Sequence, residues 1–120
     1  MSEPIGTAVQ ASSGNVANAA AVATLPGVLN STTYITGLVL TGGGATVGSL
    51  VVATVTGLLG GTLSYVFAVP TGAAIGAAPL VLDFSTPMPA TGTNTPIVVT
   101  LPALGAGNTN AVANARGYRL

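Results

Sequence analysis

Catalysis near neutral pH needs titratable or nucleophilic side chains, and this chain has almost none. Its 120 residues contain no histidine and no cysteine. Two arginines, Arg116 and Arg119, and two carboxylates, Glu3 and Asp83, are the whole charged complement, so lysine is absent too. General acid–base catalysis works through a positioned titratable group, most often histidine. The serine–histidine–aspartate arrangement fails for the same lack, and a serine–lysine pair fails for want of lysine. Metal sites of the zinc type need His or Cys ligands. A calcium site needs several oxygen donors, and Asp83 with backbone carbonyls is a poor offer. A carboxylate pair would require the N-terminal segment to fold Glu3 over Asp83. The residues imply no cofactor and no metal, and the chain is read as a non-enzyme.

The glycine-rich run Gly42–Gly48 invites a phosphate-loop reading, but that motif ends in lysine. The dinucleotide fingerprint fails as well, because its third glycine would fall at Val47. Glycine here is expected to serve turns, where positive φ carries no steric cost. Nucleic-acid binding needs a basic patch, and two arginines do not make one. Arg116 and Arg119 are read instead as partners for a carboxylate, either Asp83 or one on another chain. Tyr34, Tyr65 and Tyr118 are read as core or interface anchors rather than sugar platforms. The sequon Asn30-Ser31-Thr32 is read as chance. No run approaches the ~18 apolar residues of a membrane-spanning helix; Leu50–Leu59 is interrupted by Thr54, Thr56 and Gly57. The N-terminus shows no basic region before an apolar stretch, so no secretory signal is expected. No nucleic acid, membrane or small-molecule substrate is expected as a partner.

The elements that would position these groups are strands. Apolar residues make up 49% of the chain but aromatics only 4%, which predicts a thin core between two sheets. Thr33–Thr41, Val47–Thr56 and Thr62–Val69 read as three consecutive strands of a meander, separated by glycine clusters. Tyr34, Leu38 and Leu40 are assigned to one face of the first. Leu63, Tyr65, Phe67 and Val69 alternate with Thr62, Ser64, Val66 and Ala68, the period of a pleated strand. Val16–Leu25 is alanine-rich, but Pro26-Gly27 ends it and its neighbours are strand-like, so it is read as strand rather than helix. Leu80–Phe84, Ile97–Leu101 and Ala111–Arg119 complete the set. Pro87 and Pro89 confine the stretch after Leu80–Phe84 to a sheet edge or an extended loop. Ala73–Ala78 is read as a small-residue loop. Residues 1–15 are read as a flexible arm and residues 16–120 as one domain. About seven or eight strands with turns every eight to twelve residues predict an all-β, antiparallel two-sheet sandwich of jelly-roll type. An immunoglobulin-like sandwich is the alternative.

Charged residues are 3% of the chain, against about 25% in typical soluble domains. So few charges favour association, and much of the outside is expected to be covered by other chains. The meander is apolar on both faces at Leu50-Val51-Val52 and Val66-Phe67, while a thin sandwich buries only one face. The candidate interface residues are therefore Tyr34, Leu50, Val52, Val66, Asp83, Arg116, Tyr118 and Arg119.

The C-terminal half carries a resemblance. The runs Pro79-Leu-Val-Leu-Asp-Phe84, Pro87-Met-Pro-Ala90, Asn94-Thr-Pro-Ile-Val-Val99, Pro102-Ala-Leu-Gly-Ala-Gly-Asn108 and Gly117-Tyr-Arg119 resemble small β-rich virion proteins of tailed bacteriophages. Tyr34-Ile-Thr-Gly37 fits the same pattern. The likeness covers roughly residues 30–120. It is similar in kind to capsid cement or decoration proteins, jelly-roll-like sandwiches that clamp adjacent major capsid subunits from outside. The resemblance implies a homo-oligomer on the capsid exterior, assembled in the host cytoplasm, with a major capsid protein as partner. A tail- or fibre-associated module recognising a host-surface ligand is the alternative, and an exported surface protein of a bacterium a third. Its motifs transfer no individual functional residue.

Overall fold

The structure is a computed structural model that describes residues 6–71 and 78–120. Among these residues there are eight strands and no helix. They are β1 (Thr7–Ser12), β2 (Ala21–Leu25), β3 (Thr32–Gly43), β4 (Ser49–Thr56), β5 (Leu63–Val69), β6 (Leu80–Thr93), β7 (Ile97–Leu101) and β8 (Asn110–Arg119). Their pairing is that of a long hairpin doubled on itself: β1 with β8, β2 with β7, β3 with β6 and β4 with β5, all antiparallel. Rolling that ribbon brings alternate rungs together. One sheet has the order β1-β8-β3-β6 and the other β2-β7-β4-β5. This is the jelly-roll form of the two-sheet sandwich.

The roll overturns the meander reading. β3 lies in one sheet and β4 in the other, so only β4 and β5 form a hairpin. The glycines at the end of β3 are not a hairpin turn either. Gly42 and Gly43 complete the strand, and the chain crosses between sheets over residues 44–48. The arm reading also fails for the described part of residues 1–15. Thr7–Ser12 pairs in continuous register with Ser12↔Asn114 through Thr7↔Arg119. Residues 1–5, with Glu3, and residues 72–77, which include all of the small-residue loop but Ala78, lie outside the described residues. In Val16–Leu25 only Ala21–Leu25 is strand. Asn18 takes a positive φ of 43°, and its N–H donates to the Asn108 side chain at 2.9 Å, which ends the extended run.

The core follows from alternation. Leu25, Ile35, Leu38, Leu40, Val55, Phe67, Ile97, Val99 and Leu101 are buried between the sheets. β2 and β8 contribute alanines inward, at Ala21 and Ala23 and at Ala111, Ala113 and Ala115. Cα atoms of these two strands accordingly approach within 8 Å, closer than the ~10 Å usual between packed sheets. The core is thin as composition predicts, and alanine is what allows it.

Two irregularities set the faces. A bulge between Ile35 and Gly37 adds Thr36 to β3, and an extra residue inverts which face later side chains occupy. Ile35 is therefore buried along with Leu38 and Leu40, while Tyr34 points outward, contrary to the single face assigned from sequence. On β6 the register breaks around Phe84–Pro87 and again before Thr93. β6 is an edge strand, the position that Pro87 and Pro89 require. Beyond the prolines it is covered: Leu59 N–H donates to Pro89 O at 3.0 Å, and Thr91 N–H donates to Gly57 O at 2.9 Å.

Candidate interaction surfaces

The sequence-derived candidates fall into two groups on opposite faces of the sandwich, with Arg119 apart from both. On the outer face of β1-β8-β3-β6, Tyr34 and Tyr118 are directly opposite one another. Their rings stack with centroids 5.0 Å apart and planes 12° from parallel. One rung further, Arg116 on β8, Gly37 on β3 and Asp83 on β6 lie in one row across the sheet. The Arg116 guanidinium crosses the middle strand and donates to the Asp83 carboxylate. It can do so because position 37 has no side chain. A Cβ there would sit 2.6 Å from Arg116 Nη2 and 2.7 Å from Cζ. Sequence reading chose both ends of this pair but missed the glycine between them. Thr36, released by the bulge, donates its hydroxyl to Arg116 O at 3.2 Å. Gln10, Ser12 and Asn114 are exposed around the pair.

Arg119 does not share this row. It is three residues from Arg116, and in a strand an odd spacing places two side chains on opposite faces. It lies opposite Thr33, which is buried. Its Nε is enclosed and has no hydrogen-bond partner among the described residues. The expectation that Arg119 could share Asp83 is corrected on this geometry.

The outer face of β2-β7-β4-β5 is different at its β4–β5 end. Leu50 is opposite Ala68 and Val52 is opposite Val66. Leu50, Val52 and Val66 are 72%, 49% and 63% exposed. These three candidates thus form one contiguous apolar group on a regular hairpin. Ser49, Thr54 and Ser64 border it, and no charged residue occurs on β4 or β5. Around the end of the hairpin, an apolar groove of about 430 Å³ runs between Leu58, Leu59 and Leu63 on one side and Pro87, Met88 and Pro89 on the other. No ionisable side chain lines it. The described residues hold no cluster of three or more His, Cys, Asp or Glu.

No protein-family model matches the chain, and neither the curated proteins nor the solved structures yield a match.

Proposed function

We propose that this chain is a structural virion protein, a head cement or decoration protein of a bacteriophage that binds across major capsid subunits and associates with itself. The observation that carries the reading is the apolar group Leu50, Val52 and Val66, held outward on a regularly paired hairpin of a chain with four charged residues. Covering such a face stabilises an assembly by roughly 25 cal/mol for each Å² of apolar area removed from water. With no charge on the hairpin, docking strips no ion of its water, a step that otherwise costs heavily. A jelly roll is a fold used in capsid proteins, among many other roles. The sequence resemblance noted above points the same way.

The test is the protein content of purified particles. Stripped in stages, heads should release this chain in hundreds of copies, together with a loss of capsid stability. Absence from particles, or a handful of copies, overturns the reading. The tail- or fibre-module alternative draws on the other face, where stacked tyrosines and an arginine–aspartate pair lie beside exposed Gln10 and Asn114. Low copy number with binding to host-cell surface glycans would select it.

A further inference from the structure

Each sheet of a sandwich ends in two edge strands whose outward N–H and C=O groups are unpaired, and proteins blunt such edges with proline, charge, bulges or a covering segment. Here the edges are β1 and β6 in one sheet and β2 and β5 in the other. β6 contains Pro87 and Pro89, changes register twice and is bonded along residues 89–91 by the β4–β5 turn. β2 is five residues long and stops at Pro26. β1 carries Ala8, Gln10 and Ser12 outward, a small and largely polar row. Among the described residues β5 carries none of these devices, although Ala78, Pro79 and Leu80 border the groove beside Val66–Val69. All seven of its residues, Leu63–Val69, pair with β4 without a register shift. It has no proline and no charge, and its outward row is Ser64, Val66 and Ala68.

Its inward row is unfinished as well. Phe67 and Val69 are buried, but Leu63 and Tyr65 on the same row stay partly exposed. Tyr65, packed against the rim of the core, thus keeps part of its ring exposed.

We propose that β5 pairs antiparallel with β5 of a second copy about a two-fold axis at Val66, joining the two β2-β7-β4-β5 sheets into one eight-stranded sheet. This deepens the self-association in the reading above, and it is separable from attachment to a capsid. The symmetry of the strand, the partly exposed Tyr65 and the neutral edge fit a second copy as the occupant. Val66 is the middle residue of the seven, so only an axis there pairs every position: Ser64 with Ala68 of the other copy, Leu63 with Val69, Tyr65 with Phe67. That register gives Tyr65 a cross-strand aromatic neighbour. The edge is also neutral throughout, so two identical copies meet without like-charge repulsion, and no charge on either is left unpaired. Interfaces of this isologous kind are the commonest in homo-oligomers. The pairing leaves the outer face open and widens it into a row, Val52–Val66–Val66–Val52, across the joined sheets.

The chain lacks cysteine, so single-cysteine variants report proximity cleanly. Val66→Cys should be captured as a dimer by a short bismaleimide at least about tenfold faster than Val22→Cys on the opposite edge, because pairing raises the local concentration of the two thiols. Light scattering should give a two-chain mass for the native protein and a one-chain mass for Val66→Lys, which sets two cations directly opposite one another. Its unfolding midpoint should match that of the native protein diluted until it is one chain, since Val66 lies outside the core and only the dimer's own contribution is lost. Val52→Lys, one strand in from the edge, should remain dimeric whether or not it still binds heads. Equal cross-linking at positions 22 and 66, a monomeric native protein, a dimeric Val66→Lys or a monomeric Val52→Lys would each overturn the edge pairing. Only the head-binding measurement bears on the capsid reading.

Discussion

The two outer faces of the sandwich use the same kind of backbone and differ in how far their side chains satisfy one another. On β1-β8-β3-β6 the long groups meet inside the chain: Tyr34 stacks on Tyr118, and Arg116 reaches Asp83 over Gly37. On the β4–β5 hairpin Leu50, Val52 and Val66 are apolar, sit side by side across the two strands and face outward. A face whose polar groups are already paired gains little from a partner. A face of exposed leucine and valine gains free energy from any complementary cover. The contrast separates a face whose long side chains are satisfied within the chain, Val81 apart, from a hairpin that presents leucine and valine outward.

That contrast can be broken by substitution. The largest effect is expected beneath the first face, at Gly117, where a Cβ would lie 1.8 Å from Tyr34 O. Gly117→Ala must push β8 from β3 and should cost about 3 kcal/mol, read as a lower urea midpoint. Next is Asn108, which is buried in the loop before β8. Its Nδ2 donates to Gly43 O at 2.6 Å and to Asn110 O at 2.8 Å, while its Oδ1 accepts from Asn18 N–H. Asn108→Ala strands these groups and should cost about 1–3 kcal/mol, also read from urea unfolding. Tyr118→Ala removes the ring stack and should cost about 1 kcal/mol. Asp83→Asn should cost less than about 1 kcal/mol, because the pair is open to solvent, with the Arg116 side chain 44% and Asp83 73% exposed. If Asp83→Asn proved as damaging as Gly117→Ala, the polar face would be holding far more of the fold than its geometry implies.

Much of the strand content was legible because its signals are local. Ile97–Leu101 lies between Pro96 and Pro102 and is the observed β7. The alternation of Thr62–Val69 gives both faces of β5 correctly and places Val66 outside, as that of Leu50, Val52, Thr54 and Thr56 against Val51 and Val55 does for Leu50 and Val52 on β4. Partners were less legible. Adjacent strands in sequence usually pair, which makes β3, β4 and β5 look like a meander, whereas the roll separates β3 from β4 by a sheet crossing. β1 was missed because Thr7–Ser12 is short, small and polar, and its partner β8 lies more than a hundred residues along the chain. A one-residue bulge at Thr36 is not announced by the sequence, yet it reverses Tyr34 relative to Leu38. The Arg116–Asp83 pair rested on scarcity of charge alone. Parity along β8 was sufficient to exclude Arg119, and that signal was present in the sequence. Gly37 could not be found so, since its role is the space it leaves for a side chain from the next strand.

The account rests on the β4–β5 face being a docking surface that the fold does not need. The most direct measurement is binding of Val52→Lys to heads stripped of this protein, with its unfolding midpoint recorded beside the native chain. The account predicts a midpoint within about 0.5 kcal/mol of native, as for a surface change, together with loss of head binding. Undiminished binding at native stability would contradict it.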